Sequence, residues 1–121
     1  MDITREKFVL GKMLELEINL VEIDNELSKN KSDLIIAESL ECTLKFNRNF
    51  LQKENIIVRL DEFKHTDEQL KILTKKIADI KKVIHRLQSF MDVQEQTLEF
   101  YQKEMENIDE NQNILQFGNI Q

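Results

Sequence analysis

From Leu70 to Ile108 the chain repeats apolar residues at alternating steps of three and four: Leu70, Leu73, Ile77, Ile80, Ile84, Leu87, Met91, Gln94, Leu98, Tyr101, Met105 and Ile108. Eleven of these twelve are apolar or aromatic, over nearly six heptads. A seven-residue repeat kept for that long places every member on one stripe of an α-helix, which must be buried against a second helix. Thr66 followed by Gln69 has the capping-box spacing that satisfies orphan donors at a helix start. The period therefore predicts a helix over 67–109, about 43 residues and about 64 Å long.

Nothing elsewhere in the chain supplies the punctuation of a sheet protein. An average protein of this length carries roughly six prolines and eight glycines, whereas this one has no proline and two glycines, Gly11 and Gly118. Without them there is little chemistry for hairpin turns, and long helices are the default. Charged residues make up 33% of the chain and hydrophobic ones 40%, which suits amphipathic helices with thin cores rather than a globule enclosing a large pocket.

Near the N-terminus, Val9, Met13, Leu16, Leu20, Ile23 and Leu27 repeat the three-four rhythm, and Leu10, Leu14, Ile18 and Val21 widen the stripe. A stripe that wide touches more than one neighbour, which predicts a bundle. Ser28-Lys-Asn-Lys-Ser-Asp33 has turn chemistry, with Ser32 as a cap for a following helix. Between 33 and 63, Leu40, Leu44, Phe46, Phe50, Leu51, Ile57, Val58 and Leu60 thread onto a helix interrupted at Asn47 and Glu54, while Asn55-Ile-Ile-Val-Arg-Leu60 equally suits a short strand.

The expected fold is all-α: a long-helix coiled coil or antiparallel three-helix bundle, with helices at about 3–29, 33–63 and 67–109 and an overhanging C-terminal helix. Residues 1–110 form a single domain and 111–121 a C-terminal docking tail. Charge pairing does not fix the relative direction of helices 1 and 3, and a pairing of those two alone stays open.

The charge and cysteine content bound the partners. A net charge of −6 argues against general affinity for nucleic acid or an anionic membrane. The N-terminal segment carries charges where a signal peptide needs an apolar core, and no apolar run reaches the ~18 residues of a membrane span. The lone Cys42 fits a reducing compartment and reads as a buried small hydrophobe or a bystander. The expected location is cytoplasmic, within a large complex or a virion, and the expected partners are protein chains in a homo- or hetero-oligomer.

Candidate chemistry is sparse. His85 falls at an outward position. His65 lies beside Asp61, Glu62, Asp67 and Glu68 at the expected turn, a set that suits either a hard divalent cation or an acidic tip. Such a tip resembles that of bacterial transcript-cleavage factors, which insert theirs into RNA polymerase, although this chain lacks their globular second domain; a solvated turn is the simpler reading. Lys71, Lys75, Lys82 and Arg86 form a basic stripe interrupted by Asp79, without the exposed aromatics of a nucleic-acid site. No catalytic residue, metal ligand or cofactor-binding residue is assigned, and the chain is expected not to be an enzyme.

Gln94 interrupts the seam among Asp92, Gln96 and Thr97, a polar stretch that reads as solvated because the partner helix has ended. Beyond it Leu98, Tyr101, Met105 and Ile108 restart the stripe, flanked by Phe100, and this overhang is the expected partner-binding surface. Ile114, Leu115 and Phe117 of the polar tail extend it as a docking strand or anchor. Gln112, Leu115 and Phe117 resemble the short peptide that docks on bacterial sliding clamps. Paired terminal coiled-coil segments at this length are also similar in topology to a prefoldin β-subunit, although the middle segment lacks the glycine-rich hairpin turns of that family's strand-rich body.

The function expected from these features is a non-enzymatic structural or adaptor coiled-coil subunit of a larger assembly or viral particle. A prefoldin-like molecular chaperone and a coiled-coil regulator of a polymerase or sliding clamp are the alternatives.

Overall fold

The computed structural model describes the backbone of residues 2–54 and 60–120 and the side chains of residues 3–53 and 60–111. Two helices account for all of it: α1, Asp2–Glu54, and α2, Leu60–Ile120. No strand occurs among the described residues. No helix is long and apolar enough to cross a membrane.

The three-helix bundle is not formed, because α1 runs unbroken through the expected turn at 28–33. Ser28, Lys29, Lys31, Ser32 and Asp33 are all exposed, so their polar side chains serve as the outer face of a helix as readily as a turn. Only Asn30 of this stretch lies on the inner side, and its amide donates to the Glu26 carbonyl at 2.8 Å. With neither glycine nor proline present, nothing there forces the chain to reverse.

The inner face of α1 follows one heptad phase throughout: Val9, Met13, Leu16, Leu20, Ile23, Leu27, Asn30, Leu34, Ala37, Glu41, Leu44, Arg48 and Leu51, each buried or half-buried. Three polar members interrupt its apolar character. Asn47, expected to break the seam, is exposed and lies outside it. The helix expected over 33–63 is present as far as Glu54 and again from Leu60, and the alternative strand at 55–60 falls mostly outside the described residues.

The chain divides into two compact units, Met1–Asn25 with Gln88–Gln121, and Glu26–Leu87. In the second unit α1 and α2 are antiparallel. Lys81 lies 3.8 Å from Glu38, Thr74 donates to Glu41 at 3.4 Å, and Arg48 meets Asp67 at 3.4 Å, so one index falls as the other rises. Its core centres on Ala37, Leu73 and Ile77, with Leu34, Leu44 and Ile80 packed against them. Ala37 is the smallest member of this core, and the larger side chains make up the rest of it.

In the first unit Val9, Leu16 and Ile23 are the buried residues of α1, Val9 fully. Arg5 is ion-paired with Glu104, and Lys12, Leu16 and Asn19 share a shallow groove with Gln94, Thr97 and Tyr101. Residues 98–108 are therefore not an overhang. Because α1 extends from Asp2 as one helix, its first turns lie against the C-terminal part of α2, and the intrachain partner does not run out after Gln94.

The start of α2 also differs from expectation. It begins at Leu60 with Asp61 and Glu62 in its first turn, where carboxylates complement the helix dipole. Thr66 is a half-buried member of its inner face and caps nothing.

Candidate interaction surfaces

A seam between only two helices buries one stripe of each and leaves the rest to solvent. Among the described residues nine hydrophobic side chains are buried, while seventeen large ones are exposed. More large hydrophobic side chains are thus exposed than fully buried, and their placement is what the site has to explain.

The exposed residues of α1 in the first unit fall into one row. Ile3, Leu10, Leu14, Ile18 and Val21 recur at steps of seven, four, four and three, so they share a helix face distinct from the seam. Each keeps between 47% and 63% of its surface exposed. Gly11 borders this row, three residues from Leu14 and four from Lys7 and so a helical neighbour of both, and a Cβ built on it meets nothing within 4 Å. Phe8 stands to one side, with the Arg5 guanidinium 5.0 Å and the Lys12 ammonium 5.8 Å from its ring centroid. Those two cations cover the Phe8 ring but leave the aliphatic row bare.

On α2 of the same unit Phe90, Val93 and Phe100 are exposed. Of the residues expected to bind a partner, Leu98, Tyr101, Met105 and Ile108 are half-buried on the inner face of α2. Phe100 points outward at 63% exposure, its ring edge-on to Tyr101 with centroids 5.5 Å apart. The structure thus separates the expected set into an inward seam and an outward phenylalanine. Ile114, Leu115 and Phe117 lie within the helical backbone of α2, and their side chains fall outside the described residues.

In the second unit Leu40 and Ile72 line an open apolar groove with Leu44, Leu73, Gln69 and Lys76, and Ile36 and Val83 are exposed as well. The basic residues Lys71, Lys75, Lys82 and Arg86 are exposed, and Lys71 pairs with Asp67 at 3.5 Å.

The remaining candidates contribute little chemistry. His65, His85 and Cys42 are exposed. Among the described residues no group of three or more His, Cys, Asp or Glu side chains is placed to hold a metal ion, and Asp67 of the acidic cluster is engaged by Arg48 and Lys71. Gln94 is not solvated at the end of a partner helix. It sits half-buried against Leu16 and Asn19, with its Oε1 buried and unpartnered.

The bare row on α1 was partly visible in the sequence, where Leu10, Leu14, Ile18 and Val21 widen the stripe. A wide stripe predicts a neighbour, and the signal does not distinguish a third helix of the same chain from a helix of another. Comparison of the chain with protein-family models, with curated proteins and with solved structures finds no match.

Proposed function

We propose that this chain is a non-enzymatic structural or adaptor subunit that binds other protein chains through the exposed apolar faces of its two helices, within a larger assembly or viral particle. One observation carries the proposal: large hydrophobic side chains in ordered rows, the clearest being Ile3 to Val21 on α1, exposed with none of the described residues covering them. Scattered exposed leucines need no explanation, but a row at helical spacing is the pattern of a helix-binding face. Burying such side chains is worth roughly 1.5–3 kcal/mol each before the entropy of association is subtracted, enough for several to drive assembly.

Phe100 and the C-terminal Ile114, Leu115 and Phe117 belong to the proposed partner surface. Leu98, Tyr101, Met105 and Ile108 support it from below by holding α2 against α1. The absence of catalysis is part of the same proposal and is supported by the open, shallow character of the grooves and by the exposure of Cys42, His65 and His85, which leaves them without the water-excluding surroundings a nucleophile or base needs.

The test is quantitative recovery of the tagged full chain from its native source. A partner chain, identical or different, is expected in fixed stoichiometry, and replacing Val93 and Phe100 with Asp is expected to deplete it while helix content is unchanged. Recovery of the chain alone, as a monomer, overturns the proposal.

A further inference from the structure

We propose that the row Ile3, Leu10, Leu14, Ile18 and Val21 on α1 is a self-association surface that takes the same face of a second copy of this chain in antiparallel orientation. The inference rests on the binding role proposed above and names the partner and the face.

Three observations converge on it. The first is area. Five aliphatic side chains on each of two copies, each about half exposed, remove up to about 1,000 Å² from water if fully covered, which is about the lower limit for a specific dimer.

The second is Gly11. A glycine in a helix interior destabilises it relative to alanine, and here none of the described residues occupies the space that a Cβ would enter. Intrachain packing therefore gives no use for the missing side chain. Lys7, Leu10, Gly11 and Leu14 stand at the i, i+3, i+4 and i+7 positions that frame one hole on a helix surface. Glycine at one corner deepens that hole into a notch, which admits an aliphatic knob from an opposing helix.

The third is the distribution of charge. Glu15, Glu17, Glu22 and Asp24 crowd the C-terminal end of the row, and all are exposed. The other end carries two acidic residues, Asp2 and Glu6, and two basic ones, Arg5 and Lys7, at the start of α1, where the helix dipole is positive, so it is the less acidic end. A parallel pair sets the acidic ends side by side. An antiparallel pair separates the two acidic ends and sets each against the partner's less acidic helix start, with Glu17 towards Lys7, which lowers the repulsion, and it brings Ile3 of one copy towards Val21 of the other. A two-fold axis through the Leu10–Leu14 region makes the interface isologous, with each copy supplying both notch and knob.

The test uses the full chain in a Cys42→Ser background. Light scattering over about a hundredfold range of concentration should show a monomer–dimer equilibrium. Leu14→Asp should abolish the dimer without loss of helix content. Gly11→Leu fills the notch, and should weaken the dimer at least tenfold while leaving the monomer as helical or more so. Mixing an Ile3→Cys copy with a Val21→Cys copy under oxidising conditions should give the mixed cross-link in excess over either symmetric one.

A monomer at all concentrations, a dimer indifferent to both Leu14→Asp and Gly11→Leu, or predominance of the symmetric cross-links overturns the inference. A chain that is monomeric yet retains a heterologous partner in fixed stoichiometry overturns it while leaving the proposed binding function standing. A monomer with no partner of any kind overturns both.

Discussion

Gln94 shows how a single side chain reports on its surroundings. It occupies an inner-face position of α2 opposite Leu16 and Asn19, and its Oε1 is shielded without a hydrogen-bond donor. An unmade hydrogen bond of a buried polar atom destabilises by roughly 1–3 kcal/mol. Gln94→Leu removes that atom and adds apolar contact, so a gain of about 1 kcal/mol and a higher midpoint are expected in a thermal melt followed by dichroism. An unchanged or lowered midpoint would mean that the amide is satisfied. The opposite sign is expected at Ile77, which is 6% exposed in the cluster with Ala37 and Leu73. Truncation of a buried isoleucine to alanine destabilises by about 2–5 kcal/mol, and Ile77→Ala belongs at the lower end because a two-helix seam can partly collapse. Arg48 and Asp67 also meet across the seam, but each keeps about a third of its side-chain surface exposed. Solvent screening leaves such a pair worth at most about 1 kcal/mol, and a double-mutant cycle in urea is expected to return a coupling no larger.

At the scale of elements, the inner face of α2 was legible in the sequence because almost every member is apolar. The chain's all-helical character followed from that face and from the lack of proline. The continuation of α1 past Leu27 was not legible, for a physical reason: its seam there passes through Asn30, Glu41 and Arg48, whose polar side chains satisfy themselves locally or across the interface. A periodicity search weighted by hydrophobicity loses the phase at each of them, and the serine, lysine and asparagine at 28–32 then read as a turn. A turn at 28–33 implies a short helix 1 and with it an overhang at 98–108, whereas α1 is continuous from Asp2 to Glu54. The candidate site follows the same course: residues 98, 101, 105 and 108 share one stripe of α2, and they are half-buried on its inner face. Helix continuity through 28–33 has a direct consequence. Lys31→Pro removes a helical hydrogen bond and clashes with the preceding turn, so a loss of about 3 kcal/mol or more is expected in chemical denaturation. A turn at 28–33 would accept proline at little expense, and a loss below about 1 kcal/mol would contradict a continuous α1.

Among the described residues, each compact unit has a core one seam thick, between two helices. Such a core leaves ordered apolar rows on the outside, and these are what the proposed binding function explains: Ile3 to Val21 on α1, Phe90 to Phe100 on α2, and the groove beside Leu40 and Ile72. Hydroxyl-radical footprinting of the full chain, compared between its native assembly and the freshly purified, diluted protein, tests the central claim most directly. Ile18 and Phe100 are expected to react strongly in the dilute chain and to be protected in the assembly, with Leu16 and Ile77 protected in both. Equal reactivity of Ile18 and Phe100 in the two states would contradict the claim that these faces are covered by other protein chains.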